Sequence, residues 1–198
     1  MELNLLIIGC LFIATLFTVG ESVYKHFKIN KYFLLVFLGL LFAGMFLPPV
    51  ELFGFQFYFE SLIFPFVICF VLLFKVKKFS RFLLVFLLCV LASMLYSLAG
   101  IEDMVYGFIE PYMVLAVLLG ILVGLISYNL PSSITSLFFG LNLGSVLFHI
   151  TKFESIENFY ISEVLFSCVL ISVLASVIVV FIKEKIAFYK QNEYEKLL

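Results

Sequence analysis

The chain has 198 residues, 65% of them hydrophobic and only 13% charged, with a formal net charge of -1. A water-soluble domain is about half apolar and about a quarter charged, and a globule this small cannot hide so many apolar residues beneath a wet surface. These figures exclude a soluble globular domain, a disordered chain and a nucleic-acid-binding module, and point to an all-α, polytopic bundle of transmembrane helices whose first partner is the lipid bilayer.

Seven apolar stretches follow in chain order, at residues 3–19, 32–47, 57–74, 82–100, 111–128, 132–150 and 162–182. A helical span needs about 20 mostly apolar residues, and backbone groups in lipid must be paired within their own segment. Each stretch is therefore predicted to be a helix. Residues 1–182 make a transmembrane domain, and 183–198 a helical tail that leaves the bilayer along anionic lipid. The first stretch has no Lys or Arg before residue 25 and no small-residue cleavage site, so it is expected to be retained as a span.

The spans differ in their small residues and prolines. Gly39, Ala43 and Gly44 give the second a contact face, and Pro48 and Pro49 close it. Pro65 falls inside the third and is expected to kink it, because the ring removes a backbone donor. Pro111 suits the first turn of the fifth. That span carries Gly120 and Gly124, and the sixth carries Gly140 and Gly144. Small residues four apart share a helix face and let two backbones approach closely. With only a short turn at 129–131 between them, spans five and six are expected to pack tightly on each other. Ser172 and Ser176 offer a further face on the seventh. Homodimerisation through one of these faces is the alternative use.

The charges are polarised. Lys25, Lys28, Lys31, Lys75, Lys77, Lys78, Arg81, Lys183, Lys185, Lys190 and Lys196 fall on one side of a seven-span chain, and only Lys152 on the other. The positive-inside rule makes the eleven cytoplasmic. The N-terminus is then outside and the C-terminus inside. Acids show the opposite bias: Glu2, Glu51, Glu60, Glu102, Asp103, Glu110, Glu154, Glu157 and Glu163 lie outside, against Glu21, Glu184, Glu193 and Glu195 inside. One base and nine acids give the outer face -8, and eleven bases and four acids give the inner face +7.

Asn142, Ser145 and His149 share a face of the sixth span. Together with Glu60, Glu110 and Glu163 near outer span ends, Asn142 and His149 form a candidate outer polar cluster, since ionisable groups within spans often mark a substrate or ion path. The bland reading places these groups at the headgroup level with no specific role. Cys10, Cys69, Cys89 and Cys168 each sit in an apolar run without metal-ligand spacing. Hydrolase, metalloprotease and nucleotide-loop motifs are missing, so no catalytic, cofactor-binding or metal residue is expected. Tyr32, Tyr58, Tyr106, Tyr112, Tyr128 and Tyr160 are placed near the interfaces, as an aromatic belt requires.

The segment Tyr106-Gly-Phe-Ile-Glu-Pro-Tyr-Met113, followed by two glycine-bearing spans, resembles the YphA-like membrane proteins of Bacillus-type bacteria. The Glu110-Pro111 step carries the likeness, which covers about a third of the chain; the tryptophan expected after that step is missing. The resemblance implies a small bacterial membrane protein of undefined activity with a link to sporulation, and it supplies no catalytic residues. Two functions stay open on the sequence. One is a structural, interaction or accessory membrane component, with a membrane partner protein. The other is a small transporter or substrate-binding subunit with an outward-facing acidic vestibule.

Overall fold

A computed structural model describes residues 2–17, 30–48, 50–52, 55–57, 63–98, 111–151 and 163–197. Its elements in chain order are α1 (Glu2–Leu16), α2 (Lys31–Gly44), β1 (Val50–Leu52), β2 (Phe55–Phe57), α3 (Phe64–Leu73), α4 (Phe79–Leu98), α5 (Pro111–Ile126), α6 (Leu130–Thr151) and α7 (Glu163–Leu197). Each helix falls on one of the apolar stretches. Three of them, α4, α6 and α7, contain segments long and apolar enough to cross a membrane. The other four, α1, α2, α3 and α5, run 15, 14, 10 and 16 residues. At about 1.5 Å per residue the longest of these reaches about 24 Å, short of a hydrocarbon core of about 30 Å.

The third stretch departs most from expectation. It is not one span over 57–74. Phe57 closes a two-stranded antiparallel hairpin in which Val50 pairs with Phe57, Glu51 with Gln56 and Leu52 with Phe55. The helix begins only at Phe64, with Pro65 in its first turn. There the missing N–H is one that no helix could satisfy anyway, so the ring starts the helix instead of kinking it. The hairpin is also the one departure from an all-helical fold among the described residues. Helix α2 stops at Gly44, before its two prolines. Phe46 N–H donates to Ala43 O at 3.1 Å and Leu47 N–H to Gly44 O at 3.0 Å, a tightened last turn ahead of a residue that cannot continue the ladder.

Helix α6 is the centre of the fold. It packs chiefly on α4, and also on α3, α7 and α5. Helix α5 packs chiefly on α7, and α1 on α2. The largest buried cluster joins Cys69, Val85, Cys89, Val123, Leu137, Phe138, Leu141, Leu165 and Val169. A second, around Ile8, Leu38, Leu41 and Phe166, fastens the α1–α2 pair to the start of α7. Outward-facing positions on α3, α4 and α5 are large and apolar, among them Phe66, Phe70, Leu87, Leu91, Leu118 and Leu125. So large an apolar exterior belongs in lipid rather than in water.

The glycine pairs correct the expected hairpin. Gly120 and Gly124 do not meet Gly140 and Gly144. A Cβ on Gly120 would run into Ser172 O and lie 2.8 Å from the Ala175 Cβ, and one on Gly124 would lie 2.8 Å from the Val179 Cβ. A Cβ on Gly140 would lie 2.5 Å from the Cys89 Cβ, and one on Gly144 2.5 Å from Val90 O. Contacts advance together along both chains, so α5 runs parallel to α7, and α4 parallel to α6. Consecutive helices in a hairpin are antiparallel. A parallel partner must therefore be sought one helix further on. Each glycine pair faces a second small pair, Ser172 and Ser176 in one case and Cys89 and Ser93 in the other. The Cys-x-x-x-Ser spacing of the latter was visible in the sequence and marks the missing face.

Candidate functional site at the basic end of the bundle

Of the expected outer cluster, Glu60 and Glu110 lie outside the described residues. His149 and Glu163 fall within α6 and at the start of α7, with their side chains outside the described residues. Asn142 is half-buried, and its Nδ2 donates to Phe138 O of its own helix at 2.7 Å. That bond uses the amide within α6. Ser145 is buried. Of the tyrosines, Tyr32 is exposed and Tyr128 half-exposed, but Tyr112 is only 8% exposed and packs with Ala116 and Cys168. Tyr58, Tyr106 and Tyr160 lie outside the described residues.

The interior of α6 carries hydroxyls, and most have defined partners. Thr135 Oγ1 donates to Pro131 O and Ser136 Oγ to Ser132 O, both at 2.7 Å along the same helix. Other serine hydroxyls bond from helix to helix. Ser93 Oγ of α4 donates to Leu141 O at 2.8 Å, and Ser172 Oγ of α7 donates to Ala116 O at 2.8 Å. Ser133 and Ser176 join their hydroxyls across α6 and α7. Each parallel pair thus has a hydroxyl-to-carbonyl bond beside its glycine face. Ser127 Oγ is buried with no partner among the described residues.

The polar groups that do converge lie at the other end. The turn from α5 to α6 is held from two directions. Helix α5 ends with carbonyls that have no intrahelical donor, at the negative end of its dipole. Lys183 Nζ, reaching from α7, donates to Leu125 O at 3.1 Å and to Ser127 O at 2.7 Å. From the α3–α4 connection, Lys78 Nζ sits 4.3 Å from the centre of the Tyr128 ring. Asn129 Nδ2 donates to Lys75 O at 3.1 Å, while its Oδ1 accepts from Ser132 N at the start of α6. Lys78 has a φ of 56°, a left-handed conformation costing about 1–2 kcal/mol in a residue with a Cβ. Its carbonyl nevertheless accepts from Arg81 N and Phe82 N and so opens α4. Arg81 and Glu184 both lie near enough to act on the Lys183 charge, in opposite senses.

This arrangement gathers Lys75, Lys77, Lys78, Arg81 and Lys183 around one uncharged turn. The charge count put these residues on a common side; the structure adds that they meet. Among the described residues no three of His, Cys, Asp and Glu come together as a metal site. None of the four cysteines is in a disulfide. Compared with known proteins, the chain matches no protein-family model, no curated protein and no solved structure.

Proposed function

We propose that the chain is a small bacterial inner-membrane protein without enzymatic activity, acting as a structural, interaction or accessory component, in keeping with the YphA-like resemblance and its link to sporulation. One observation carries the reading. The helices meet backbone to backbone along two glycine faces, and the buried hydroxyls beside those faces are spent on neighbouring carbonyls. The interior is thereby committed to packing. In this reading all seven helices lie in the membrane, the shorter ones completed by the residues that flank them. The end bearing Lys75, Lys78, Arg81 and Lys183 faces the cytoplasm, and α7 carries its polar tail past that surface. The meeting of these four cations at one end supports a shared cytoplasmic face.

Affinity purification of the full chain from native membranes tests the reading. A membrane protein that co-purifies at fixed stoichiometry, and still does so with Glu110→Gln and His149→Ala, is the expected result. If those variants fold but lose the uptake or binding of a solute, the protein is a transporter or substrate-binding subunit and the reading fails.

A further inference from the structure

We propose that the basic end of the bundle, between the α3–α4 connection and α7, is a binding site for the phosphate of an anionic phospholipid headgroup. The inference rests on the cytoplasmic placement of this end, where the leaflet carries negative surface potential.

Two cations at this end are already occupied. Lys78 is held over Tyr128, and Lys183 is spent on the Leu125 and Ser127 carbonyls. They position the turn. Lys75, Lys77 and Arg81 are exposed. Three exposed cations within seven residues of sequence, with Lys183 alongside, make a compact positive surface. An Arg fork and a Lys ammonium suit phosphate oxygens.

The apolar neighbours decide what kind of phosphate. Phe74 and Phe79 bracket the connection, and they are 78% and 66% exposed. Phe70 continues the same surface up α3, in contact with the Phe74 ring at 5.5 Å between centroids. Cations beside exposed aromatic surface match an amphiphile, whose headgroup meets the charges while its acyl chains lie on the phenylalanines. A soluble phosphate would use only the cations. Basic pockets between transmembrane helices on the cytoplasmic side recognise lipid headgroups in this way.

Native mass spectrometry of the full chain in detergent micelles tests this, with phosphatidylglycerol and phosphatidylcholine of equal chain length as probes. Phosphatidylglycerol is expected to be retained in preference. Each basic residue near an anionic headgroup is worth about a fivefold preference, so the double variant Lys77→Gln/Arg81→Gln should reduce the preference by about thirtyfold. Both side chains are exposed, so the variant should keep the wild-type unfolding temperature in phosphatidylcholine. Removing the same charge from the tail, with Lys190→Gln/Lys196→Gln, should change the preference by no more than about twofold. Equal retention of the two lipids, or an equal loss in the tail variant, would overturn the site. Displacement by glycerol 3-phosphate at the lipid's own concentration would overturn the lipid and assign a soluble phosphate. Orientation is read separately, by thiol labelling of Lys78→Cys in intact cells. Labelling from outside would sink the cytoplasmic placement, while retention in micelles would stand.

Discussion

The α1–α2 pair and the α4–α6 pair use small residues in opposite ways. In the antiparallel α1–α2 pair, a Cβ on Gly39 would meet only the Phe12 ring, at 3.6 Å, and one on Gly9 would meet nothing within 4 Å. Side chains such as Ile8, Leu38 and Leu41 fill the space between these helices. In the parallel α4–α6 pair, Gly140 and Gly144 lie against the backbone and Cβ atoms of Cys89, Val90 and Ser93. Glycine in a membrane helix therefore carries no fixed meaning. It decides the fold only where its missing side chain is the contact.

The largest expected effects break that distinction directly. Gly140→Leu and Gly120→Leu force a branched side chain into a neighbouring backbone. Overpacking commonly costs about 1–3 kcal/mol, and more where backbone cannot yield. Both variants should lose more than about 3 kcal/mol, seen as failure to recover monodisperse protein after mild extraction. Lys183→Met comes next. It strips the donor from the Leu125 and Ser127 carbonyls, and hydrogen bonds to charged groups are worth about 1.5–3 kcal/mol. Among the described residues Lys31 bonds only Leu16 O, at 3.2 Å and exposed. Lys31→Met should accordingly cost much less in the same denaturation series.

Smaller effects sharpen the comparison. Ser93→Ala and Ser172→Ala each remove one helix-to-helix bond, with expected losses of about 0.6 to 1.7 kcal/mol in mixed-micelle unfolding. Gly39→Ala should be neutral or stabilising by up to about 1 kcal/mol, because alanine is the better helix former and the site has room. Ser127→Ala has the smallest expected effect, a change near zero or a slight gain. It deletes a buried hydroxyl with no partner among the described residues, so no bond among them is lost.

The positions of the helices were legible because apolar runs end where charge, glycine or proline begins. Pro111 at the start of α5 was legible for the same reason. The third stretch was misread because apolar residues on both sides of Glu60 and Ser61 hide a change of period. Val-Glu-Leu and Phe-Gln-Phe alternate as strands do, and that alternation with Gly54 between was the available signal. Glycine spacing disclosed which face of α5 and α6 is a contact. It could not disclose the partner, because a face is a local property and the choice of neighbour depends on how all the helices are arranged. The docking of Lys78 and Lys183 on the α5–α6 turn was hidden likewise, since those residues lie about 50 positions apart or more from the groups they hold.

A double-mutant cycle on Gly140→Ala and Cys89→Gly tests the central arrangement most directly. The new methyl group at 140 would collide with the Cys89 Cβ, and removing that Cβ leaves Phe86 O, at 3.0 Å, as its nearest neighbour. Residues in contact couple by about 0.5–3 kcal/mol, so the double variant should be more stable than the summed single losses by about 1 kcal/mol or more. Losses that add to within about 0.5 kcal/mol would contradict the parallel α4–α6 contact.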